Sequence, residues 1–208
     1  MSGEDILRRV GRYYAQRLAE NGPGPRGVDW NGEDSQRLRH AQFLRLLADD
    51  PQASVLDLGC GYGDFLGFLR SEGHRGAFHG WDIAPEMIAA ARGIHGDGED
   101  RFWHVGAVPG APADYAIASG VLNVKGDVPD TEWDAYVEGV IDVLAQSGRR
   151  GFGFNVLSLS SDPGKRRPNL HYADPARLLR HCLDRYGRHV ALLQDYGLWE
   201  FTLLVRRD

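Results

Sequence analysis

A chain of 208 residues is long enough for one well-buried domain and little more, so a single domain over 1–208 is expected. At 42% hydrophobic, 25% charged and 10% aromatic the composition is that of a globular protein, and no apolar run approaches the roughly 18 residues that a membrane-spanning helix needs. Charge is uneven: residues 51–148 hold five bases and fifteen acids, a net of −10, and residues 149–208 hold eleven and six, a net of +5. An acidic middle argues against wrapping a nucleic-acid backbone.

The first periodic segment is a helix over 5–20, with Ile6, Leu7, Val10, Tyr13, Tyr14 and Leu18 on its apolar face, and it stops at Asn21-Gly22-Pro23-Gly24-Pro25. A second helix is expected over 34–47 and ends at Asp49-Asp50-Pro51. From Ala53 strands and helices alternate. The strands are expected at 54–58, 77–82, 101–105, 114–119, 151–158, 188–194 and 199–205, and the helices at 64–72, 85–92, 131–146 and 174–186. That alternation predicts an α/β fold: a Rossmann-like, doubly wound, mostly parallel seven-stranded sheet with helices on both faces. The last two strands, separated by a turn near Tyr196-Gly197, should form a C-terminal antiparallel hairpin. Residues 1–50 would be an N-terminal helical flap on a core of 51–208. Asp174 before Pro175 reads as the cap of the last helix. The clusters Arg149-Arg150, Lys165-Arg166-Arg167 and Arg206-Arg207 read as solvated loop and strand ends.

Residues 54–65 are SVLDLGCGYGDF. An apolar strand ends at Asp57, glycines alternate at 59, 61 and 63, and a helix opens at Asp64. Such a turn needs glycine where the chain reverses sharply and where a ligand approaches the backbone. The next strand ends in Asp82, nineteen residues after Gly63, where a carboxylate can accept from both ribose hydroxyls. The spacing also suits a dinucleotide. The Gly-x-Gly-x-Gly pattern and the acid at 57, unwelcome beside a pyrophosphate and useful beside an ammonium, lean away from that.

Here the chain resembles the class I S-adenosylmethionine-dependent methyltransferases. VLDLGCGYG is similar to their first motif, GWDIAPEMI to their second, and ADYAIASGVLNV at 113–124 to the segment flanking the methyl group. The resemblance implies S-adenosyl-L-methionine as cofactor. Asp57 would hold its amino group, and Gly59, Cys60, Gly61 and Gly63 would line its methionine and sugar. Asp82 would bind the ribose, Ile83 and Met87 would cover the adenine, and Ser119 and Gly120 would sit near the sulfur. Many relatives place an acid after strand three. Ala107 stands there in this chain, so backbone groups of Gly106 and Ala107, or His104, would read the adenine.

Residues at the ends of elements facing that site are the catalytic candidates: Asn123 after strand four, and His171 and Tyr172 in NLHYADP. His171 is the candidate for a general base, because its ordinary pKa lies near neutrality; the competing reading is a surface loop histidine with no role. The flap holds Tyr13, Tyr14, Trp30, Gln36, Arg39 and His40. Either these helices close over the cofactor, with Arg39 pairing its carboxylate and Tyr14 or Trp30 walling the acceptor, or the rings merely pack the flap onto the core. Tyr196, near the hairpin turn, is a further candidate for the substrate wall. No histidine or cysteine shows metal-ligand spacing.

The expected function is methyl transfer to a small molecule, with an acceptor oxygen preferred over nitrogen. Two alternatives stay open: the same cofactor used to cyclise its own aminobutyrate arm, and a non-catalytic partner protein. The start MSGEDILRRV has acids before its first bases and no apolar stretch, and two cysteines cannot build a disulfide framework. A cytoplasmic monomer or homodimer, with no nucleic-acid or membrane partner, is therefore expected.

Overall fold

The computed structural model describes residues 3–47 and 50–207. Asp49, part of the stop expected after the second helix, lies outside the described residues. Two helices come first, α1 (Gly3–Asn21) and α2 (Glu33–Leu47), with a short 3-10 turn at Pro25–Val28 between them. The alternating part follows as β1 (Val55–Leu58), α3 (Asp64–Ser71), β2 (Phe78–Asp82), α4 (Pro85–His95), β3 (Arg101–Val105), β4 (Ala113–Ala118), α5 (Asp130–Ser147) and β5 (Gly148–Leu157). It closes with α6 (Pro175–Tyr186), β6 (Val190–Leu193) and β7 (Glu200–Arg206). The expected elements all form, most within a residue or two; the largest shifts lengthen α4 and carry the start of β5 three residues back.

One seven-stranded sheet runs in the order β3-β2-β1-β4-β5-β7-β6. The first five strands are parallel, and β7 enters antiparallel between β5 and β6. The order reverses beside β1, so the carboxyl ends of β1 and β4 open a crevice where ligands collect in such sheets.

Each face of the sheet carries its own apolar layer. Ile6 and Val10 of α1 join Trp133, Val137, Ile141 and Leu178 of α5 and α6 over Phe152, Phe154 and Val156. The other face joins Phe43, Leu46 and Leu47 of α2 to Phe65, Leu66 and Leu69 of α3 and Ile88 of α4. Phe43 is 0% exposed. Thus α2 is a layer of the core, and α1, the 22–32 loop and the start of α2 border the crevice. Deep burial of α2 follows from Phe43, Leu46 and Leu47, which fall on one face at helical spacing. Asp174 caps α6 as expected, accepting from the backbone N–H of Ala176 at 2.9 Å. Among the described residues no helix is long and apolar enough to cross a membrane.

Candidate functional site

The turns that follow β1, β2, β3 and β4 line a cavity of about 950 Å³, including its open mouth, and α1 and the 28–40 segment roof it. The first turn carries the chain past the sheet edge. Gly59 adopts φ +78°, and a Cβ there would collide with Val121, so neither the conformation nor the space admits a side chain. The backbone N–H groups of Gly59 and Cys60 both donate to the carbonyl of Trp81, at 2.7 and 3.0 Å, which locks the turn against β2.

Two carboxylates face this cavity from the floor. Asp57 is 3% exposed, and its Oδ1 has no hydrogen-bond partner among the described residues. Burial, then the nearby Asp82 and Asp64, push its pKa well above the usual carboxylate range. Asp82 accepts from Gly61 N–H through Oδ2 and from Ala84 N–H through Oδ1, each at 2.9 Å. Burial raises it to about 6, and those N–H groups hold it from rising further. Asp64 also lines the cavity, and among the described residues no lysine or arginine does. A buried, uncompensated set of acids is costly unless a cationic ligand joins it. An ammonium beside Asp57 would supply the missing partner, so the residues present fit S-adenosylmethionine and do not fit a pyrophosphate.

Of the expected cofactor residues, Asp57, Gly59, Cys60, Gly61, Asp82, Ile83, Met87, Gly106, Ala107, Ser119 and Gly120 all line the cavity. Gly63 does not. It sits at the N-cap of α3 with φ +83°, and a Cβ there would lie 2.6 Å from Trp103, so its smallness serves packing. His104 is elsewhere too, stacked on Trp81 with ring centroids 4.4 Å apart.

A second cavity, about 800 Å³ with its mouth, adjoins the first, and Tyr14, Val28, Trp30 and Gly120 line both. Asn123, Tyr172 and Arg39 line this second space alone. Arg39 is therefore displaced from the cofactor-carboxylate role expected for it. Its Nε donates to Glu200 Oε2 at 2.6 Å, and its guanidinium lies 4.8 Å over the Trp30 ring. Glu200 is 1% exposed; burial raises its pKa while Arg39 pulls it back. Tyr196 belongs to the same network and lines neither cavity, its hydroxyl lying 2.9 Å from Thr202 Oγ1 and donating to Glu200 at 3.3 Å.

His171 is corrected as well. It is 3% exposed and lines neither cavity. Its Nε2 lies 3.6 Å from Asp134 on α5, and burial lowers its pKa, with Asp134 opposing. Bridges of Leu170 to Val124 and of Ala173 to Ser158, with His171 N–H donating to Asn123 O at 2.8 Å, fix this stretch, and Tyr172, the next residue, lines the second cavity.

Sequence reasoning named His40 among the flap residues without giving it a role, and passed over Tyr136 and Asn155. His40 lines the first cavity, stacked on Phe65 with centroids 5.0 Å apart; neither ring nitrogen has a hydrogen-bond partner among the described residues. Burial, then Arg39 and Arg37, lower its pKa to about 3, so it is neutral. Tyr136 of α5 also lines that cavity. Asn155, 0% exposed, accepts from Gly120 N–H at 2.8 Å and donates to Ser119 Oγ at 2.9 Å, which holds the turn after β4. An asparagine inside the apolar strand GFGFNVL was the available signal for that role.

Comparison with known proteins agrees with this geometry. Residues 56–149 match the family of methyltransferase domains. The Mycobacterium tuberculosis protein Rv1506c, which carries a provisional methyltransferase name, is 46% identical over 161 residues, 77% of this chain and 96% of its own. A trans-aconitate 2-methyltransferase of Mycobacterium sp. (strain KMS) is 34% identical over 96 residues, which cover 44% of this chain and 36% of that relative. Among solved structures, magnesium protoporphyrin IX methyltransferase from Synechocystis PCC 6803, with bound S-adenosylhomocysteine, superposes with a TM-score of 0.69 at 16% identity over 100% of both chains. At that identity the likeness is one of fold.

Proposed function

Since this chain belongs to the class I S-adenosylmethionine-dependent methyltransferases, we propose that its acceptor is a small molecule seated in the second cavity, methylated on oxygen in preference to nitrogen. S-adenosylmethionine is its cofactor, and when bound supplies a methyl group on a positively charged sulfur. The observation that carries the acceptor reading is the shared wall: Tyr14, Val28, Trp30 and Gly120 border both spaces, so a molecule in the second can reach a methyl group in the first.

The chain's own work is binding and placement. Asp57 takes the ammonium and Asp82 the ribose hydroxyls. Gln36, whose Oε1 accepts from Tyr62 at 3.0 Å and leaves its amide nitrogen to donate, and His40 take the cofactor's carboxylate in place of Arg39. Met87 and Ile83 flank the adenine. Asn155 fixes the Ser119–Gly120 turn at which transfer occurs. Holding donor and acceptor in line removes much of the entropic barrier to displacement. The segment Ser119-Gly120-Val121-Leu122-Asn123, unlike the Asn-Pro-Pro-Tyr of amide and base methylation, favours oxygen. So does the relative named for trans-aconitate, a carboxylic acid.

Calorimetric titration with S-adenosylmethionine and S-adenosylhomocysteine, followed by product analysis with candidate acceptors, tests this reading. Micromolar binding of both, with S-adenosylhomocysteine as the product, is expected. Methylthioadenosine as the product would point instead to cyclisation of the cofactor's arm, and no binding to folded protein would overturn the site.

A further inference from the structure

Resting on the second cavity as the acceptor site, we propose that the acceptor carries an anionic group, a carboxylate or a phosphate-type oxyanion. Lys165 and Arg167 anchor that group, and the other end of the molecule meets the methyl group at Tyr14, Trp30 and Gly120. The three-base run Lys165-Arg166-Arg167 is divided by the fold. Arg166 is engaged in structure: its Nη2 donates to the carbonyls of Leu159 and Ser161, its Nε donates to Ser161 O at 3.2 Å, and its guanidinium lies 5.9 Å over the Tyr172 ring. Lys165 and Arg167, on either side, both line the second cavity, and neither has an ion-pair partner among the described residues.

The loop that presents them is tied down. Lys165 N–H donates to Asp162 O at 2.9 Å, and Arg167 N–H donates to Tyr172 Oη at 3.0 Å. Nearby acids are already engaged. Asp29 accepts from Tyr13 at 2.8 Å and pairs with Arg17 at 3.3 Å, and Glu200 is held by Arg39. Among the described residues that line the cavity Asp29 is the one acid, it is paired with Arg17, and Lys165 and Arg167 have no ion-pair partner. Its other walls include Trp30, Tyr172, Leu170 and Trp199, and Trp199 is 52% exposed. Apolar and aromatic walls with a few convergent charges suit a flat or apolar body bearing an oxyanion. Neither cation lines the first cavity, so the anion is an anchor set apart from the reacting atom.

The test is calorimetry on protein saturated with S-adenosylhomocysteine, titrated at low salt with millimolar benzoate, inorganic phosphate or the neutral amide benzamide. Benzoate or phosphate should bind the unmodified protein and benzamide should not. A Lys165→Ala/Arg167→Ala double variant should weaken the anion by about tenfold or more, the loss typical of a charge-assisted hydrogen bond. S-adenosylhomocysteine affinity should stay the same in that variant, and Arg180→Ala, at an exposed arginine of α6, should change neither. Failure of both anions to bind, equal binding to the double variant, or benzamide binding as tightly as benzoate would overturn the anchor while leaving the methyltransferase reading intact. Failure of S-adenosylhomocysteine itself to bind would overturn that reading and the anchor with it.

Discussion

The two cavities share a wall and carry opposite signs. The first is floored by Asp57, Asp64 and Asp82 with no lysine or arginine, and the second is edged by Arg39, Lys165 and Arg167 with only Asp29 among the acids. A cofactor with a cationic sulfur and an ammonium suits the first space and is repelled by the second. An anionic acceptor is sorted the other way. Placing like charge in the wrong compartment rejects the wrong ligand as effectively as any contact attracts the right one. Burial separates the spaces too: Asp57 is enclosed and unpartnered, whereas Lys165 and Arg167 remain open to water.

The comparison breaks first if α2 is a movable lid over the cavities. Phe43→Ala should then cost little. With α2 a core layer, the substitution should cost about 3–5 kcal/mol in chemical denaturation, and a loss under about 1 kcal/mol would restore the lid. For the same reason, removing residues 1–48 should unfold the protein rather than open it.

Asp57→Asn tests the acidic compartment. Affinity for S-adenosylmethionine should fall about a hundredfold, near 2.8 kcal/mol. Unchanged affinity would remove Asp57 from the site. The Lys165→Ala/Arg167→Ala variant should leave that affinity untouched.

What could be read from the sequence divides along the same line. The cofactor-cavity residues found in advance sit at the carboxyl ends of β1 and β2, in the turns after β1 to β4 or, for Met87, in the first turn of α4, so local grammar of apolar run, glycine and acid placed them. The second cavity has no such grammar. Its walls come from residues 14, 28–31, 39, 120, 123, 124, 157, 161, 165, 167, 170, 172 and 199, brought together only when α1 crosses the sheet and β7 inserts beside β5. That is why His171 drew the base role and Tyr172 alone reached the cavity, and why Arg39, four residues from Ser35 on α2, is tied to Glu200 on the last strand. Gly63 shows the converse: a motif position whose spacing was right and whose smallness serves Trp103.

Proton linkage sharpens the comparison at smaller scale. Asp82 without ligand is raised to about 6, and a hydroxyl pair accepted by the ionised form favours ionisation. Affinity for the cofactor should therefore fall as pH drops through 6, by up to about tenfold per pH unit. Asp82→Asn should flatten that dependence as it weakens binding. The smallest effect belongs to His171→Ala. It should change turnover by less than about threefold, because the ring lines neither cavity, while lowering stability by roughly 1–3 kcal/mol through lost packing. A loss of turnover by orders of magnitude in a folded variant would return His171 to the catalytic site.

The most direct test of opposite-signed compartments is calorimetry of S-adenosylmethionine binding at pH 6, where Asp82 titrates, in two buffers of different ionisation enthalpy that hold that pH, such as MES and Bis-Tris. Ribose hydroxyls accepted by ionised Asp82, whose pKa is raised to about 6 without ligand, displace its proton, and an ammonium beside Asp57, whose pKa burial also raises, acts in the same direction. Micromolar binding with net proton release is the predicted result. Binding without proton release, or with proton uptake, would contradict it.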